Sequence, residues 1–226
     1  MGVDVIHVDA SIAWHHHELD REVLKTLRRP QIYADRHVYT SAIDRLDGEL
    51  TRAAAPFPGV RLGVGMVALV DPPRRLESSA TLASVAEAPG PFDDYFCEGL
   101  LPSLANAGVA VAAISLTFQQ QLPATLRLLR LLSERSPEVV RVVGGPLIAC
   151  WRAAGVRPPE FADAQHVLGS SDEEIDHLAA LVGAGPGAAR VAGGSPLAVP
   201  LDQAPWDQYL APLPVIPVAF GRGCPW

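Results

Sequence analysis

The chain has 226 residues, 49% hydrophobic and 19% charged, a composition that can bury a sizeable core and excludes wholesale disorder. Lys and Arg total 18 against 25 Asp and Glu, a formal net charge of -7 with no basic stripe, which disfavours dedicated nucleic-acid binding by counterion release. Three cysteines, Cys97, Cys150 and Cys224, make no even framework and no Cys-x-x-Cys pair, so the expected setting is reducing and cytoplasmic. No basic n-region precedes an apolar stretch and no run approaches about 18 apolar residues, so neither export nor membrane insertion is expected.

In chain order, residues 3–8 are a first strand candidate, and residues 20–55 an extra helical insertion. Between them, His15, His16 and His17 belong to an exposed loop or helix start, because consecutive histidines cannot all face one ion. Residues 60–69 predict a second strand and residues 92–107 a helix ending at Gly108, with Asp93, Asp94 and Glu98 as acids of its first turn that favour the helix dipole. The run 109–117 is continuously apolar and ends in hydroxyls, the pattern of a strand buried on both faces. In residues 119–136, Leu122, Leu126, Leu129 and Leu132 keep helical spacing, while Arg127, Arg130 and Glu134 fall outside the stripe. A buried strand over 139–143 closes at Gly144-Gly145-Pro146, a short helix over 147–154 stops at Gly155, and residues 164–168 form a further strand with His166 as a core residue. Gly169-Ser170-Ser171 then opens a helix through Leu181 that carries His177 on a solvent face.

Strands separated by helices require parallel crossovers, so the expected class is α/β, a Rossmann-like doubly wound sheet over residues 1–185. Residues 186–204 read as a Gly, Ala and Pro-rich linker, and 205–226 as a separate segment with an isolated strand. Ligands of such sheets bind beyond the carboxyl ends of the strands. Those ends carry Asp9 and Ser11, Ser115 and Thr117, Gly144, Gly145 and Pro146, and Gly169, Ser170 and Ser171, all small or polar. Paired glycines admit a large planar group close to the backbone, or merely turn the chain. Gln119, Gln120 and Gln121 lie at the same edge, where they either face a ligand or start the next helix in water.

Ser115-Leu-Thr117 followed by Val142-Val-Gly-Gly-Pro146 resembles the later elements of the cobalamin-binding domain pattern, with Thr117 where the family has Leu. In that family the serine lies against the dimethylbenzimidazole tail and the glycines flank its pocket. The family's Asp-x-His-x-x-Gly element has no counterpart some forty residues before Ser115, so the resemblance implies a lower cobalt face that meets another group or water. Asp35-Arg-His37 has the Asp and His but lies too far upstream. The tail, Pro205-Trp206 through Gly221-Arg-Gly-Cys-Pro-Trp226, is similar to the entry of a radical S-adenosylmethionine barrel, in which Cys224 is the first cysteine of Cys-x-x-x-Cys-x-x-Cys. Three such thiolates hold a 4Fe-4S cluster whose fourth iron chelates S-adenosylmethionine.

The resemblance implies a cobalamin-dependent radical S-adenosylmethionine C-methyltransferase of natural-product or peptide maturation. Its partners would be cobalamin, a barrel in the same or another chain, and a small-molecule or peptide substrate, with neither nucleic acid nor membrane. The cluster and S-adenosylmethionine would belong to a full-length parent, the 226-residue chain having no radical chemistry by itself. Cys97 and Cys150 are then core thiols. The alternative is an α/β docking or substrate-binding module that binds no cobalamin. A nucleotide-binding Rossmann enzyme is weaker, since no Gly-x-Gly-x-x-Gly follows any strand.

Overall fold

The apolar runs and leucine spacings of the central region build a mixed α/β architecture around three parallel strands. The computed structural model describes residues 6, 8–57, 59–64, 66–69, 84, 87–156, 159–169, 172–183, 206 and 208–210. Strands β3 (Val111–Ser115), β4 (Val140–Gly144) and β5 (His166–Val167) form a parallel sheet in the order β3-β4-β5. The register pairs Ser115 with Gly144 and Val143 with Val167. Helix α5 (Leu122–Arg135) is the β3-to-β4 crossover, as the spacing predicts, with Pro123 in its first turn where a missing amide costs nothing. Helix α6 (Pro146–Ala153) and a 3-10 segment, Pro159–Asp163, connect β4 to β5, and α7 (Asp172–Leu181) follows.

The leucine stripe of α5 is wider than expected. Leu122, Leu126 and Leu129 join Leu116, Val143, Ile148 and Phe161 in one core. Leu128, Leu131 and Leu132, on the adjoining face, enter a second core shared with the N-terminal helices. Those are α1 (Ala10–Glu18), α2 (Arg21–Leu27) and α3 (Arg36–Ala54), with a 3-10 turn at Pro30–Ala34. Asp9, Asp20 and Asp35 cap the three helices through side-chain oxygens that accept from Ile12, Glu22 and His37 amides. The helical insertion expected over 20–55 is therefore helical. It is integral as well, because Val23, Leu24, Leu27, Leu46 and Leu50 are buried in the same core as Trp14 and Leu132.

The 60–69 expectation is corrected. Val60–Gly63 (β1) and Met66–Leu69 (β2) pair antiparallel in their own two-stranded sheet, and neither joins the parallel one. Two residues, Val64 and Gly65, separate the strands, which suits only a hairpin. The 3–8 strand is not seen at the described positions, Ile6 and Val8, which are exposed and outside any strand; its other residues lie outside the described ones.

The 92–107 helix is present in two parts, a π segment at Tyr95–Leu100 and α4 (Leu101–Asn106). Pro102 has no amide to give the Glu98 carbonyl, and the ladder is shifted just before it: the Leu101 amide donates to Phe96, five residues back. Asp93, expected as a first-turn acid, does more than cap. It accepts the Gly90 amide at 3.1 Å and a two-pronged contact from Arg127, with Nε at 2.9 Å and the terminal nitrogen at 2.7 Å. Arg127 thus crosses from α5 to the start of the π segment.

Among the described residues no helix is long and apolar enough to cross a membrane. Cys97 is half-buried against the N-terminal core, whereas Cys150, expected inside, is exposed on α6.

Candidate functional site

The carboxyl ends of the three parallel strands meet at one edge, held by backbone contacts. The Leu116 amide donates to the Gly144 carbonyl at 2.7 Å, and the Leu168 amide to the Val143 carbonyl at 2.8 Å. Gly145 then caps α6 with φ 104° and ψ 177°, a conformation open essentially to glycine alone. A Cβ there would stand 2.5 Å from the Leu116 carbonyl oxygen and 2.9 Å from Ser115 Oγ. The Leu116 carbonyl also accepts the Leu147 amide at 3.1 Å, and Pro146 has no amide, so the first turn of α6 is largely satisfied by the chain itself. The space beside Gly144 is taken by the Leu168 carbonyl, and that beside Gly169 by the Glu174 carboxylate, which pairs with Arg152 of α6. These three glycines let neighbouring loops close on one another.

Outside this closed floor lies an exposed ledge of Ser115, Thr117, Phe118, Gln119 and Gln120, with the Phe118 ring 63% exposed. Gln121 does not point its carbonyl outward. Its Oε1 accepts the Thr117 amide at 2.8 Å and the Phe118 amide at 3.0 Å, which fixes the turn between β3 and α5. The backbone of β2 runs beside this turn. The ledge offers two hydroxyls, two primary amides and one aromatic face, enough to hydrogen-bond and stack a planar polar ligand.

Of the other sequence candidates, Asp9 is the cap of α1 and Ser11 lies in its first turn. Helix α1 packs on the π segment. Asp9 is the α1 cap and the hydrogen-bond partner of Tyr209, whose phenol is raised by burial and by the nearby Asp9 carboxylate. Ser170, Ser171 and Cys224 lie outside the described residues.

Two arrangements escaped the sequence reading. Residues 206 and 208–210 return to α1, where the Gln208 carbonyl accepts His16 Nε2 at 2.8 Å and Leu210 packs on the N-terminal core. His166 and His177, read as a core residue and an isolated surface residue, face each other across 3.2 Å. Nothing in their 11-residue separation announces this, since it depends on how α7 returns to β5.

The three adjacent histidines of α1 diverge. His15 Nδ1 donates to the Ser11 carbonyl at 2.6 Å, His16 to Gln208, and His17 lies 3.5 Å from Glu18. Burial lowers the His15 pKa from 6.5, partly opposed by the Ser11 contact. With the folded value depressed, the unfolded chain binds more protons just below pH 6.5, so stability rises with pH across that window and falls on acidification. Urea midpoints of wild type are expected to drop more between pH 7.5 and 5.5 than those of His15→Gln. Parallel drops would remove His15 as the cause.

No protein-family model, curated protein or solved structure matches the chain significantly.

Proposed function

We propose that the chain is the cobalamin-binding part of a cobalamin-dependent radical S-adenosylmethionine enzyme, a C-methyltransferase acting on a small molecule or peptide. The observation that carries this reading is the pairing of Ser115 with Gly144 at the exposed carboxyl edge of a parallel sheet, in a chain whose later sequence reads Arg222-Gly-Cys-Pro-Trp226. The doubly wound form of the α/β fold belongs to the same reading. The residues fit at the ledge, where hydroxyls and amides are exposed, and not at Gly145, Gly169 or Gln121, whose space or polar atoms the chain uses itself. Ser115 and Thr117 would hold the tail of the cofactor, Phe118 would shield it from water, and Gln119 or Gln120 would offer an amide to the lower face. Cys224 would be the first cluster thiolate. Bound cobalamin would supply the methyl group, while these residues orient it and exclude solvent.

A second reading, an α/β docking or substrate-binding module without cobalamin, is favoured by the self-closed glycine floor and the exposed Phe118. Incubation with hydroxocobalamin followed by gel filtration separates the two. The first reading expects visible cobalamin absorbance to co-elute with the protein, and colourless protein would leave the second.

A further inference from the structure

We propose that His166 and His177 form a two-histidine site for a divalent first-row metal ion, with zinc as its probe. His166 Nδ1 and His177 Nε2 stand 3.2 Å apart, with ring centroids at 4.9 Å and planes inclined by 60°. That separation is at the long limit for a hydrogen bond, which would need one ring nitrogen to carry a proton and the other to be bare. It suits two bare nitrogens on one ion as well. With zinc-nitrogen bonds of about 2.0–2.1 Å, a 3.2 Å separation subtends about 100–106° at the metal, close to the tetrahedral angle.

Regular structure holds both rings. The His166 backbone is fixed by the β5 register, in which it pairs with Val142, and His177 is the sixth residue of α7. The pair is therefore set by a strand and a helix, and no rearrangement of regular structure is needed to bring it together. His166 is half-buried and His177 exposed, so an ion can enter from the α7 side. The three histidines of α1 lack this convergence, each ring being turned to a different partner.

Among the described residues no third His, Cys, Asp or Glu completes the group. Two positions on a tetrahedral ion are then left for water or an added ligand, the arrangement of an exchangeable site rather than a closed structural one. Imidazole ligands favour zinc, copper and nickel over magnesium and calcium, which sets the class of ion.

Equilibrium dialysis of the intact chain against zinc chloride, comparing wild type with His166→Ala and His177→Gln, tests the site. Each variant is expected to lose one bound equivalent, or at least tenfold in the affinity of that equivalent, and His16→Gln to lose neither. The His177 substitution sits on an exposed helical position, so its far-ultraviolet circular dichroism is expected to match wild type and keeps the test valid if His166→Ala fails to fold. For that case, zinc-induced shifts of both the His166 and His177 ring resonances in the wild-type protein are the second readout. No zinc bound by wild type, unchanged binding in either folded variant, or a shift of only one ring would overturn the proposal.

Discussion

Replacing Gly145 with alanine is expected to destabilise the protein by about 3–5 kcal/mol, combining a conformation that only glycine adopts readily with a backbone collision. The new Cβ would lie 2.5 Å from the Leu116 carbonyl oxygen and 2.7 Å from its amide nitrogen. Neither atom can yield, because the same amide is bonded to Gly144 and the same carbonyl to Leu147. Gly108 supplies the control. Its φ is 62°, also left-handed, but a Cβ there meets nothing within 4 Å, so Gly108→Ala should cost only about 1 kcal/mol. Urea unfolding of the two variants checks the difference. Equal losses would mean that the strand-end closure is not as tight as described.

The second large effect is expected at Asp93 and Arg127. Their side chains are only 14% and 13% exposed, and Asp93 also holds the Gly90 amide. Removing the carboxylate in Asp93→Ala takes the ion partner from a guanidinium that is mostly shielded from water, with an expected loss of about 3 kcal/mol. Arg127→Met should cost a similar amount by stranding the carboxylate. The double variant strands neither charge, so its loss should be well below the sum of the two. A double-mutant cycle by urea unfolding measures the coupling, and strict additivity would show that the pair acts as two solvated charges.

The central strands and their helices were legible as elements, although β3, expected to be buried on both faces, leaves Ala113 and Ser115 exposed because it ends the order β3-β4-β5 among the described strands. The runs around Ile114 and Val143 are apolar and the α5 leucines keep helical spacing, so the sequence itself brings the Ser115 and Gly144 strand ends to one edge. The hairpin was not legible, since Gly63-Val64-Gly65 interrupts an apolar run too briefly to stand out against a single strand. Helix α1 was hidden for a different reason. Its burial rests mainly on one residue, Trp14, whose indole nitrogen donates to the Pro91 carbonyl at 2.9 Å from 77 positions away. Arg127 shows in the sequence only as a residue outside the leucine stripe, because its partner lies 34 residues upstream. Gly144, Gly145 and Gly169 stand out in the sequence, yet their spacing alone does not decide between a cradle for ligand and a close approach of the chain to itself. The backbone atoms around Gly145 decide it at that position.

The most direct test of the cobalamin reading is an equilibrium titration of the intact protein with hydroxocobalamin, followed by visible absorption, on wild type and Ser115→Trp. Ser115 is exposed at the ledge but its Oγ lies beside Gly145, so urea midpoints of wild type and variant are compared alongside the titration. The account predicts one cobalamin per wild-type chain and at least tenfold weaker binding in the variant at unchanged stability. Saturation that never appears in wild type, or binding that is indifferent to Ser115→Trp, would contradict it.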